Sequence, residues 1–174
     1  MNSQLKLLLY LGFIVGILYF IQQKYNIFDI SFEEKESKQE KSENFVPRLE
    51  ILNEDNSPIL VEVEIADTNE SRALGLSGRK ELGDYQGMLF VMDEQDLHAF
   101  WMKDMEIELD LLYINTQGII VEIFENQKPC LPTFCPTIQS QYESKYILEV
   151  IGGFAEVNRV EVGNEVIFDI SSEE

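Results

Sequence analysis

The chain has 174 residues, 45% hydrophobic and 26% charged, with 32 acidic against 13 basic side chains and a formal net charge of −19. That length accommodates one domain of ordinary size with additional segments. All 32 acidic residues but only twelve of the basic ones follow Ile21, so the portion beyond it carries −20, which repels phosphate backbones and disfavours nucleic acid as a partner.

The first predicted element is Leu7 to Ile21, LLLYLGFIVGILYFI, fifteen consecutive apolar or glycine residues preceded by Lys6. As a helix it reaches about 22 Å, the length of a signal-peptide core and short of the roughly 30 Å of a bilayer core. Tyr19 to Tyr25 offers no small-residue cleavage pattern and no Cys for a lipid, so the reading is an uncleaved signal-anchor. Residues 1–30 are thus expected to form a transmembrane helix and its flank, with the lipid bilayer as partner. Lys6 and the terminal amine before the segment and Lys24 and Lys35 after it nearly balance the positive-inside rule. Its N-terminal position favours an exported body on a single-pass membrane protein. Residues 31–44 are charged and almost free of apolar side chains, which reads as a flexible linker.

Residues 45–174 form the expected folded body. Arg48–Leu52 and Ile59–Ile65 read as strands joined by an Asn/Asp/Pro turn. Asp67 to Glu70 matches a capping box with Asp67 as the cap, opening a short helix toward Leu76 that Gly75 and Gly78 end. Met88–Met92 is continuously apolar, as a strand buried on both faces would be. Leu97–Lys103, beyond the acidic segment Asp93–Asp96, reads as its hairpin partner, with His98, Phe100 and Met102 on one face and Ala99, Trp101 and Lys103 on the other. Strands are also expected from Ile107 to Ile114, placing Glu108 and Asp110 on a water-facing side, and, after the turn Asn115–Gly118, from Ile119 to Phe124. The segment Glu125–Pro136, with three Pro, must be a loop. A strand Ser144–Val150, one helical turn in Phe154–Arg159 and a last strand Glu165–Ile170 complete the body.

GMLF, HAFWMK, LDLLYI and the PC…CP loop, in that order, resemble the family designated domain of unknown function 192, with ADTNESRALGLSGR and VEVGNEV as supporting segments. The resemblance covers roughly Ile59 to Ile170 and implies a compact β-domain, often exported or membrane-anchored, of undetermined function. After Lys103 the chain departs from the family pattern, with Asp104–Met105 where an Asn–Thr pair is typical.

The fold expected is mainly β: a small antiparallel sandwich or barrel with one or two short helices, preceded by the N-terminal transmembrane helix. Cys130 and Cys135 are the only cysteines. A disulfide is the leading reading outside the cytoplasm, with free or redox thiols and metal ligands as alternatives. No phosphate loop, zinc signature, nucleophile elbow or cofactor fingerprint is present, so no cofactor or metal is assigned. The candidate polar cluster is Arg79, His98, Trp101, Lys103 and Asp110. The leading function is a non-enzymatic extracytoplasmic module binding a cell-envelope component or partner protein, with the aromatic side chains as a stacking platform. The alternative is an envelope hydrolase or lyase using His98, Lys103 and Asp110, with Arg79 holding an acidic group of the substrate. Arg72 and Arg79 could equally pair with the abundant acids.

Overall fold

The computed structural model describes residues 3–25 and 46–170 other than 54, 56 and 132, so the linker expected at 31–44 lies outside the described residues. The chain divides into the units Met1–Asn44 and Phe45–Glu174. In the first, α1 spans Ser3–Tyr25. Its large apolar side chains from Leu7 to Ile21 are exposed on every side of the helix. Among the described residues no helix is long and apolar enough to cross a membrane. The expected transmembrane helix is corrected on that ground: the apolar run is fifteen residues, where a span takes about 20.

The second unit is mainly β. Its elements are β1 (Arg48–Leu52), β2 (Pro58–Ala66), α2 (Asn69–Leu74), β3 (Gln86–Asp96), β4 (Ala99–Trp101), β5 (Leu109–Ile114), β6 (Ile120–Gln127), β7 (Thr137–Gln139), β8 (Ser144–Ile151), α3 (Phe154–Asn158) and β9 (Glu165–Asp169). Seven strands form one sheet in the order β6-β5-β8-β3-β2-β1-β9, and β4 pairs with β7 as a separate ribbon. Every pairing is antiparallel except β2 with β3. The sheet is therefore mixed, not purely antiparallel. The reason lies in the connection, since α2 and its exit loop carry the chain back to the end of the sheet where β2 began.

Leu97–Lys103 is not the hairpin partner of Met88–Met92. β3 runs through the acidic segment to Asp96 and has β2 and β8 as its neighbours, whereas β4 pairs with β7. The segment Met88–Met92 needs partners on both edges and cover on both faces, which a simple meander cannot supply. The helix cap is Thr68 instead of Asp67: Ser71 N–H donates to Thr68 Oγ1 (3.1 Å), and Thr68 N–H donates to Ser71 Oγ (3.0 Å). Gly75, at φ 50°, ends α2.

Alternation along the central strands splits the core in two. Leu89, Leu112, Leu148 and Val150 join Leu49, Ile51, Val61 and Val63 on the inside of the curl. Met88, Phe90, Leu111, Tyr113 and Ile147 face outward and are covered by Leu76 and by Met102, with Phe100 of β4 packed against them. The curl brings the turn before β6 against β9. Val166 N–H donates to Gly118 O (2.7 Å), and Ile120 N–H donates to Asn164 O (3.0 Å). Gly118 sits at φ 78°, and a Cβ there would meet Val166 O at 2.7 Å. Both facts exclude a side chain at this position. The variant Gly118→Ala is expected to lose about 1–3 kcal/mol of folding stability, the usual cost of a forced left-handed conformation. A urea midpoint unchanged from the wild type would show that the sheet does not close here.

Candidate functional site

Two carboxyl groups lie buried on β5 and β8, and they differ in what surrounds them. Asp110, on β5, is fully buried. Its Oδ1 accepts from Asn126 N–H (2.7 Å) and Gly153 N–H (3.0 Å), and its Oδ2 from Ala155 N–H (2.8 Å). The expected water-facing side of β5 does not exist, because β6 and β8 flank the strand and both of its faces are covered. Asp110 is a structural acceptor that fastens the loop before α3 and the end of β6 to the sheet. Three N–H donors hold it in place.

Glu149, on β8, is 5% exposed, and its carboxyl has no hydrogen-bond or ion-pair partner among the described residues. It lies between Met88 of β3 and Leu111 of β5 in the sheet register. Alternation turns it to the outer core, into a cavity of about 240 Å³. The walls are α2 and its exit loop (Arg72 to Ser77), Phe90 and Met92 of β3, Ala99 to Trp101 of β4, and the following Lys103 and Met105. Burial pushes the Glu149 carboxyl up to about 8. Nearby Tyr113 is raised from its ordinary value by burial and, secondarily, by the charges of Glu149 and Glu122.

The cavity wall is held by aromatic and backbone contacts. Phe100 stands edge-on to Phe90, with ring centroids 5.0 Å apart, and to Tyr113, at 6.1 Å. Gly78 N–H donates to Asp104 O (2.8 Å), joining the exit of α2 to the segment after β4. Asp104 itself sits at φ 57°. Asn and Asp tolerate that region better than other side chains, so the departure from Asn at this position preserves the backbone requirement. Cys130 and Cys135 form a disulfide, and Cys130 N–H donates to Met102 O (3.1 Å), tying the loop to the residue after β4.

The candidate cluster read from sequence is only partly assembled. Trp101, 61% exposed, and Lys103 both line the cavity. His98 does not; its Nε2 lies 3.2 Å from Glu94 O. Arg79 forms a two-pronged pair with Glu64, Nη2 to Oε2 at 2.9 Å and Nη1 to Oε1, and the hydrogen bond raises its pKa. Arg72 donates to Val91 O (2.7 Å), Asp67 O (2.9 Å) and Asn69 Oδ1 (2.8 Å), and contacts Asp93. The hydrolase or lyase constellation of His98, Lys103 and Asp110 is therefore not brought together, since all three donors on Asp110 are backbone groups. Glu149 is the site residue that sequence reasoning misses. The available signal is an acid in the middle of KYILEVI, an otherwise nearly apolar strand.

The raised pKa has a consequence for folding. Between the ordinary carboxyl value near 4.5 and about 8, the unfolded chain loses the Glu149 proton while the folded chain keeps it. The contribution of this group is complete below pH 4.5 and is lost progressively as pH rises to about 8. Replacing Glu149 by Gln removes the titration and keeps the shape. The Gln variant and wild type should have similar urea midpoints at pH 4, whereas at pH 8.5 the variant should be more stable by a few kcal/mol, on the order of 1.4 kcal/mol for each tenfold change in proton affinity. Parallel pH profiles for the two proteins would contradict a carboxyl held neutral in the cavity.

The comparisons with known proteins agree with this architecture. No protein with a curated description matches the chain. A crystal structure from Sinorhizobium meliloti 1021, described as a "putative transcription regulator", is similar at 27% identity and a TM-score of 0.67. The match covers 71% of this chain and 94% of that one. A protein of unknown function from Novosphingobium aromaticivorans DSM 12444 is similar at 26% identity and a TM-score of 0.63, covering 69% of this chain and 83% of that one. The family model for DUF192, an uncharacterised ACR family, matches residues 50–168. With the curled sheet and the ordered motifs inside that span, the chain belongs to the DUF192 family.

Proposed function

We propose that this protein is a membrane-attached binding module whose working site is the cavity over Glu149, with a small organic ligand or a side chain of an envelope partner as its occupant. The observation that carries the reading is a carboxyl without a partner among the described residues, buried in a cavity that is walled mainly by apolar and aromatic side chains, bordered by Arg72, Ser77 and Lys103, and has an exposed Trp at its mouth. A buried polar group without a partner costs free energy, and a ligand that supplies the partner recovers part of it. Exposed aromatic surface beside such a group is what a stacking ligand requires.

Attachment to the lipid bilayer and an extracytoplasmic body are parts of the same proposal. A helix that is apolar on every side has no polar face to turn to water, and α1 from Leu7 to Ile21 is of that kind. The Cys130–Cys135 disulfide suits an oxidising compartment. The acidic body is repelled by anionic headgroups, which favours a ligand that approaches from solution.

Two measurements test these parts separately. A panel of small amines, acids and alcohols, screened on the full chain in a neutral detergent, should contain compounds that raise Tm and change the emission of Trp101, the only Trp in the chain. The Tm shifts should be smaller in Trp101→Ala and in Glu149→Gln, and the emission change smaller in Glu149→Gln; Tm shifts undiminished in both variants would remove the cavity as the site. For location, a reporter that works only in the cytoplasm, fused after Glu174, is expected to be silent, and a fully active fusion would sink the exported reading.

A further inference from the structure

We propose that the ligand taken by this cavity is an organic amine in its ammonium form, with its carbon skeleton against the aromatic wall and its nitrogen on Glu149. The inference rests on the cavity being a binding site and adds the charge of the occupant. The Glu149 side chain is nineteen-twentieths buried, faces the cavity and has no partner among the described residues. Phe90, Phe100 and Trp101 line the same space. A carboxyl with ring faces around it is the environment in which an ammonium is held by ion pairing and by the quadrupoles of the rings together.

The basic groups nearby do not reverse this preference. Arg72 borders the cavity, but its guanidinium is spent on Val91 O, Asp67 O, Asn69 and Asp93. Lys103 is exposed, at the mouth, where solvent and salt screen it. Tyr113 on β5 is a further titratable neighbour of Glu149, and β3 contributes Met88, Phe90 and Met92 to this side. The net charge of −20 beyond Ile21 draws cations toward the body from a distance. A cavity of about 240 Å³ lies below the usual range for drug-sized ligands, so the amine is small or is the end of a longer molecule.

The proton balance makes the proposal measurable. Empty, Glu149 holds its proton at neutral pH. An aliphatic amine is already charged there. Forming the ion pair therefore sends the Glu149 proton to solvent, and no proton moves onto the ligand. Binding is expected to tighten by about tenfold per pH unit between pH 6 and pH 7.5, where one proton is released per bound amine.

The probes are phenethylamine, 2-phenylethanol and 3-phenylpropionate, which share a ring and a short chain but present a cation, a neutral hydroxyl and an anion. Each is titrated into the full chain in a neutral maltoside detergent, with Trp101 emission and calorimetry in two buffers of different ionisation enthalpy as readouts. Phenethylamine should bind best, release close to one proton at pH 7, and weaken roughly tenfold or more in Glu149→Gln, in keeping with loss of a charge-assisted contact. Trp101→Leu, a change at an exposed side chain, should weaken it without abolishing the proton release. Phenylpropionate binding best, or phenethylamine binding equally well to Glu149→Gln with no proton released, overturns the cationic ligand and leaves the cavity as a binding site. If none of the three binds, both the ligand class and the cavity reading fail.

Discussion

The constraint on which the body depends is that its central strands are apolar on both faces. β3, β5 and β8 place one set of side chains inside the curl and another outside it, as Leu89 and Phe90, Leu112 and Tyr113, and Leu148 and Ile147 do. A sheet of this kind has to be covered twice. Curling covers the inside, because the turn at Gly118 reaches β9 and the two ends of the sheet nearly close. The outside is covered by smaller pieces: the exit of α2, the β4–β7 ribbon and the disulfide loop. Such a patchwork leaves a gap over Glu149, and the candidate site is that gap.

Asp110 and Glu149 show how one sheet treats two carboxyl groups differently. Asp110 pairs in register with Val150, and Leu111 with Glu149, so the two acids are close neighbours in the sheet. Asp110 nevertheless receives three backbone N–H groups, two of them from Gly153 and Ala155 beside the start of α3. Donors of that number replace the hydration that the carboxylate lost. Glu149 receives none among the described residues and relieves its burial by keeping its proton. An acid placed for structure alone would be expected to resemble Asp110. Glu149 keeps an uncompensated polar group at a place where the outer cover is open.

Much of the fold was legible from periodicity. β1, β2, β8 and β9 lie within a residue of where alternation and turn residues place them, β6 runs three residues further, to Gln127, into the segment expected as loop, and the Asn115–Gly118 turn stands as read. Alternation also ordered Phe100, Trp101 and Met102 correctly: Trp101 is exposed, Met102 buried and Phe100 half-buried. Pairing was less legible, because periodicity assigns faces and not neighbours. The ribbon of β4 with β7 joins segments on either side of β5 and β6, and no local pattern announces such a contact. The same limit explains the acids. Asp110 and Glu149 sit in strands at positions where sequence alternation permits water, and only the cover laid down by distant segments decides that neither is wet.

That dependence on distant cover links the disulfide loop to the site. β4 is three residues long, and its pairing with the equally short β7 holds it only weakly by itself. Additional fastening comes from Phe100 on Phe90 and Tyr113, from the Tyr113 hydroxyl donating to Ile138 O (3.4 Å), and from Cys130 N–H on Met102 O. The Cys130–Cys135 ring restricts the loop that supplies the last of these. Trp101 and Lys103 flank Met102 in the chain, so the backbone group that the loop anchors lies between the two exposed side chains at the cavity mouth. The loop thus takes part in positioning the mouth although it contributes no lining side chain, and the outer cover and the site share a single set of fastenings.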